Sequence, residues 1–286
     1  MVKAKVILAA GLCLALAGCA GPRPADSVFE HDGMRFEWRR FAADGSRTGV
    51  KAVVGDSVKE SLGSISDGVY TAPDGRRHRD DAVCRAASAL LDAQETMAPL
   101  REIIGHSPRT MSKHHPESEL SNWTVDALMK GVEAATGRKV DIGITNFGGI
   151  RTDMPEGDVL IDDIASMFPF KNYLCLVELD GRTVLDLFER MAPHMQCVGG
   201  VKVTLKDRRL ESLEVGGGSV DPDRIYNVAT IDFLLDGGDD LHVARGARDL
   251  VITEVRVKDW IERYVREITA AGGEIEYQTD GRVVEL

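Results

Sequence analysis

A mixed α/β fold, with a mixed sheet and packed helices, is what this sequence predicts, and three observations carry the prediction. Segments with apolar residues at helical spacing alternate with short runs of β-type residues. Some of those runs follow one another across tight turns, as "VGGVKVTL" (198–205) and "RLESLEV" (209–215) do, so the sheet is not wholly parallel. The chain has 286 residues, 43% of them hydrophobic, which is ample for a buried core.

The elements follow in order. Lys3 and Lys5, an apolar stretch from Val6 to Ala17, and small residues before Cys19 read as a secretory signal too short to span a bilayer. Leu16-Ala17-Gly18-Cys19 resembles a bacterial lipoprotein signal. That resemblance implies cleavage after residue 18, acylation of Cys19 and anchoring in the cell envelope. With Ala20 next, the outer membrane is the expected location, facing periplasm or surface. Residues 19–79 are expected to be a tether and N-terminal extension. Within them "MRFEWRRF" (34–41) alternates like a strand that could pair with "RTGVKAVV" (47–54), and the Gly-rich stretch 55–79 reads as loop.

A domain is expected over 80–286. Val83, Ala87, Leu90, Leu91 and Met97 recur at helical spacing, with Gly105 closing the segment; a second helix spans about 119–136 and ends at Gly137. The strand "KVDIGIT" (139–145), the segment "DVLIDDIASMF" (158–168) and the strand "NYLCLVEL" (172–179) follow. After an Asp180-Gly181 turn come a helix through "TVLDLFERMA" (183–192), the hairpin above and the strand "YNVATIDFLL" (226–235). A helix from Thr253 to about Ala270 and the strand "RVVEL" (282–286) complete the chain.

Composition excludes some functions. The formal charge is −11, or −13 once Lys3 and Lys5 are removed, so a nucleic-acid polymer is not an expected partner. Cys84, Cys175 and Cys197 include no Cys-x-x-Cys; one disulfide is possible, and the sequence does not select it.

Four places could carry chemistry. In "NFGGIR" (146–151), Gly148 and Gly149 open φ values closed to other residues and let backbone N–H groups approach a ligand. Arg151 offers a fork of donors for phosphate or paired oxygens, and Asn146 can hold the loop through backbone bonds. In "FLLDGGDD" (233–240), Phe233 and Asp239 suit a nucleoside, ring on base and carboxylate on ribose hydroxyls. Phe170 and Asn172 of "PFKN" (169–172) supply a second aromatic wall and an amide for a base edge. "VGGVKV" (198–203) is the fourth place. Taken singly, each has a plain structural alternative in a strand-exit turn, a core Phe or an acidic turn.

Taken together and in order, these segments resemble the C-terminal domain of the 5′-nucleotidase and UDP-sugar hydrolase family, from about Ser118 onward and more loosely from Asp80. The resemblance implies that Phe170 and Phe233 sandwich the base, Asn172 reads its edge, and Asp239 holds the ribose. Arg151 and Asn146 would then line the ribose or phosphate side. An arginine that the family would place a few residues before Asn122 is missing. The ungapped match is Glu117, with Lys113 the nearest cation upstream.

Family enzymes hydrolyse their substrates in a separate N-terminal domain, where two metal ions activate water. No Asn here is followed by His, and Asp240-Leu241-His242, Gly105-His106 and His114-His115 do not assemble six ligands. The chain itself is thus expected to hold no cofactor, with divalent metals in a separate metallophosphoesterase polypeptide. The expected ligand is a nucleoside or nucleoside monophosphate. The other reading is a non-catalytic nucleoside-binding envelope lipoprotein, favoured by an acid at position 117.

Overall fold

The computed structural model describes residues 27–31, 34–38 and 62–286, in two compact units, Met1–Gly63 and Ser64–Leu286. In the first, β1 (Ser27–His31) pairs antiparallel with β2 (Met34–Trp38), Ser27 opposite Trp38. The strand expected at 34–41 thus pairs backward, inside the stretch read as a tether. Its expected partner at 47–54, the signal at 1–18 and Cys19 lie outside the described residues.

In the second unit the expected loop before Arg79 contains an antiparallel meander of β3 (Ser64–Ser66), β4 (Val69–Thr71) and β5 (Arg77–Arg79). Asp67 and Gly68 take φ of 51° and 70° between the paired Ser66 and Val69, forming the two-residue turn that matches strand twist. Strands of three residues are too short to display alternation, so they escape a periodicity reading.

α1 (Ala82–Met97) begins at Asp81, whose carboxylate accepts from the Cys84 N–H at 2.7 Å. The expected apolar face is split: Ala87 and Leu91 pack inward with Cys84 and Tyr70, whereas Val83, Leu90 and Met97 are exposed. The spacing makes the helix, but the meander covers only part of that face. Gly105, expected to close this helix, lies instead in β6 (Ile103–Ser107), which pairs antiparallel with β8 (Gly157–Leu160).

α2 (Glu119–Thr136) is the central helix. Ser118 and Ser121 cap it reciprocally, and Gly137 ends it at φ 69° in the left-handed region. It lies on a five-stranded sheet of order β10-β7-β14-β9-β15, formed by β7 (Ile142–Thr145), β9 (Tyr173–Asp180), β10 (Cys197–Gly199), β14 (Ile225–Ile231) and β15 (Asp249–Arg256). The β7–β14 pair is parallel and the others antiparallel, so the sheet is mixed as expected. Leu174, Cys175, Leu176 and Val177 are buried in succession, as in a strand covered on both faces.

α3 (Ile161–Met167) follows β8 directly. α4 (Gly181–Met191) begins where a turn was expected, because Asp180 caps it by accepting from the Thr183 N–H and hydroxyl at 2.9 and 2.7 Å. Those bonds, with Arg248, hold the Asp180 carboxyl down at about 2. The expected continuous strand 198–205 is divided between two sheets. Gly200 separates β10 from β11 (Val201–Lys206), at φ 72° and so close to Asp141 that a Cβ would stand 2.1 Å from that carbonyl oxygen. β11 pairs with β12 (Arg209–Val215) as the predicted hairpin, and β13 (Gly218–Ser219) and β16 (Val283–Glu285) complete that sheet. Thr253–Arg256, expected to start the last helix, belong to β15; α5 spans Val257–Ala270 and buries Val257, Trp260, Ile261 and Val265. Cys84, Cys175 and Cys197 are free thiols, and burial pushes Cys175 up to about 12.

The C-terminal strand is strapped to α2. Arg282, 6% exposed, donates to Asp126 at 2.8 and 3.0 Å, to Asp280 at 2.9 and 2.8 Å, and to the Val198 carbonyl at 3.1 Å. Tyr277 donates to Asp126 as well. Replacing Arg282 by Met would leave Asp126 without its cation in a largely buried setting. Urea unfolding of R282M should show a loss of about 3 kcal/mol; a loss below about 1 kcal/mol would mean the strap is incidental.

Candidate functional site

β7 ends at Thr145, and Asn146 to Arg151 leave the edge of the sheet through a single 3₁₀ turn at Phe147–Gly149. Gly148 and Gly149 are absent from the positive-φ residues, so their expected conformational role does not hold. Their role is space. A Cβ on Gly149 would stand 2.7 Å from Asn146 Oδ1, and one on Gly148 would stand 3.3 Å from Asn146 Nδ2. The buried Asn146 side chain fills the volume that two missing methyl groups leave, and its Nδ2 donates to Asp239 Oδ2 at 2.6 Å. Positions 93 residues apart are joined in this way.

The loop mostly satisfies its own N–H groups. Gly149 donates to Asn146 O, Ile150 to Phe147 O, Arg151 to Met167 O and Phe147 to Gln196 Oε1. Gly148 N–H has no acceptor among the described residues and faces the exposed side. Cations hold the carbonyls: Lys113 Nζ donates to Phe147 O at 2.8 Å and to Ile150 O, and Arg151 donates to Gly148 O at 3.2 Å. Burial, then the neighbouring Arg151 charge, pushes the Lys113 ammonium below its ordinary value. His115 packs on Phe147 with ring centroids 3.9 Å apart, and burial lowers its pKa.

The predicted residues converge as follows. Phe170 is 48% exposed, and the Arg151 guanidinium lies 5.9 Å from its ring centroid. Phe233 is 47% exposed and crowds Gly238, where a Cβ would meet the ring at 2.8 Å and the Phe233 carbonyl at 2.1 Å. Asp239 follows at φ 49° and would lie 3.5 Å from a Cβ on Gly148. Phe170 thus neighbours Arg151, and Phe233 neighbours Gly238 next to Asp239, the residue that reaches Gly148. Asn172 is half-buried beside Phe170, its carbonyl accepting from Val257 N–H while its side-chain amide has no partner among the described residues.

Glu117 does not face this loop. Its carboxylate accepts from Asn122 Nδ2 at 2.7 Å and from the backbone N–H groups of Asp280, Gly281 and Val283, so it ties the start of α2 to the C-terminal segment. The expectation that it replaces a phosphate-binding arginine is corrected: it is a frame residue. Lys113 takes the loop-side place. Just before α2, which starts at Glu119, and in a stretch without periodicity, neither Lys113 nor His115 carried a pattern that would connect it to the glycine loop.

Among the described residues no group of three or more His, Cys, Asp or Glu is placed to hold a metal ion. Asp240 and His242 do not form a ligand pair; His242 Nδ1 instead approaches Asp236 at 3.5 Å. The described residues do not fit a dimetal centre.

Residues 101–245 match the model of the 5′-nucleotidase C-terminal domain. The chain is 24% identical over 190 residues to the trifunctional nucleotide phosphoesterase protein YfkN of Bacillus subtilis, covering 59% of this chain and 12% of that protein. It is 31% identical over 105 residues to protein UshA of Salmonella pullorum, 35% of this chain and 19% of that protein. In fold it resembles the 5′-nucleotidase precursor of Thermus thermophilus, with a TM-score of 0.63 at 23% identity over 76% of this chain and 45% of that one. The chain thus spans less than a fifth of the length of the first two relatives.

The crowding around Asn146 makes the two glycines unequal. Gly149→Ala should cost about 1–3 kcal/mol in urea unfolding through overpacking against Asn146, and Gly148→Ala less than about 1 kcal/mol. Equal costs would mean that Asn146 is not wedged beneath the loop.

Proposed function

Because the chain belongs to the 5′-nucleotidase C-terminal domain family, we propose that it recognises the nucleoside part of a nucleotide while a separate metallophosphoesterase polypeptide supplies the metals and the hydrolysis. Nucleoside phosphate would be converted to nucleoside and phosphate by the pair. The observation that carries this reading is the Asn146–Asp239 hydrogen bond, which brings the glycine loop and the acidic turn together; half-exposed Phe170 neighbours Arg151 of the one, and half-exposed Phe233 neighbours Gly238 of the other. Asp239 keeps one carboxylate oxygen for ribose hydroxyls, and Arg151 uses one of its five N–H donors on Gly148.

Two stacked faces contribute roughly 1–3 kcal/mol per base, sufficient for micromolar binding after ordering costs. The reading that rejects phosphate rested on an acid at position 117, and Glu117 is occupied elsewhere. Lys113 and Arg151 put two cations at the loop instead. Anchoring through Cys19 at the outer membrane is part of the same proposal and rests on the first nineteen residues.

Calorimetry with AMP and adenosine on the full chain should show saturable binding of both. Phe170→Ala and Phe233→Ala should each weaken it by at least about 1 kcal/mol, with unchanged affinity in both leaving only a packing role for the rings. Incubated alone with AMP and manganese or zinc, the purified chain should release no phosphate; turnover would overturn the separate catalytic polypeptide.

A further inference from the structure

Phe170 also borders a small pocket, with the more exposed Gly149, Phe170 and Asn172 at its outer end and the buried Thr124, Thr145 and Leu128 at its inner end. Three of these residues carry polar side chains, and none of the three makes a hydrogen bond to protein among the described residues. Thr124 Oγ1 is wholly buried and unpartnered. This is unusual for its position. Thr136 and Thr269, also in helices, donate to the carbonyls four residues back, at 2.7 and 3.0 Å, whereas Thr124 does not. Thr145 is 4% exposed and Asn172 half-buried, so three hydrogen-bonding groups converge where only carbon otherwise lines the wall: Leu128, Ile150, Phe168, Ile231 and Val257.

Leaving a hydroxyl buried without a partner costs free energy, which a hydrogen-bonding group entering this pocket would recover. The space admits a group about as large as one water molecule. A phosphate or a ribose is too large, and an apolar methyl would leave the hydroxyls unsatisfied. What fits is one amino or oxo substituent on a flat ring lying against Phe170.

We infer that this pocket is a specificity subsite, in which Thr124 and Thr145 hydrogen-bond an exocyclic amino or oxo group of the nucleobase and Asn172 guards the entrance. The inference rests on the nucleoside reading above and deepens it. Water takes the substituent's place in the free protein, and a base lacking the substituent leaves that water behind.

The test is calorimetry of the full chain with adenosine, inosine, guanosine and unsubstituted purine riboside, repeated on Thr124→Val and Thr145→Val. Valine keeps the shape and removes the hydroxyl. In the unaltered chain at least one substituted riboside should bind about tenfold more tightly than purine riboside. In Thr124→Val that advantage should shrink to under about threefold, with purine riboside affinity unchanged and the melting temperature not lowered. Thr145→Val gives the same readout should Thr124→Val fail to fold. Ribosides that bind with the same contrast in both variants as in the unaltered chain overturn the subsite alone. Absence of saturable binding by all four ribosides in the unaltered chain overturns the nucleoside reading, and the subsite with it.

Discussion

The candidate site depends on one side chain occupying space that two others give up. Asn146 is buried at the end of β7, and its amide lies where Gly148 and Gly149 would otherwise project a Cβ. From there it donates to a carboxylate on a turn that the chain reaches only after three more strands of its own sheet and a second sheet. A hydrogen bond to a carboxylate is worth more than one between neutral groups, and here it joins two loops far apart in sequence. The other features attend to this bond. Lys113 holds the loop carbonyls from below, Gln196 takes the Phe147 N–H, and Gly238 admits the Phe233 ring beside Asp239.

What was legible in the sequence follows from which physics acts locally. The bounds of α2 could be read because Ser118 and Gly137 are its caps, and caps are decided within a few residues. The hairpin of β11 and β12 could be read for the same reason. Thr253–Arg256 of β15 were read as helix because they run straight into the helical stripe of Val257, Trp260, Ile261 and Val265, whereas the pairing of β15 with β9 is a long-range choice. The exposed stripe of α1 shows the limit from the other side: Val83, Leu90 and Met97 have ideal spacing, but spacing does not say which side of a helix the neighbouring strands will cover. In the site, residue types were legible and their reasons were not. Glycine suggested unusual φ, and the structure uses its lack of a side chain instead.

Position 117 illustrates how a missing charge can mislead. Read by alignment alone, an acid before α2 seemed to oppose an anionic ligand. Its carboxylate is consumed by three backbone N–H groups and an asparagine amide, all belonging to the closure of the C-terminal segment on α2. Charge in a sequence becomes field at a site only after internal partners have been subtracted. Lys113 presents the converse, a cation of no evident pattern that ends against the functional loop.

This closure has a functional side. α2 carries Asp126, which binds the C-terminal segment, and it also carries Thr124, two residues earlier, which lines the pocket that Phe170 borders. Helical residues two apart point in different directions, so the helix holds the tail with one side and the pocket with another. Because a helix is stiff over so short a span, displacing the tail would shift the pocket floor and not merely expose surface. α2 is therefore the element shared by the Arg282 strap and the pocket.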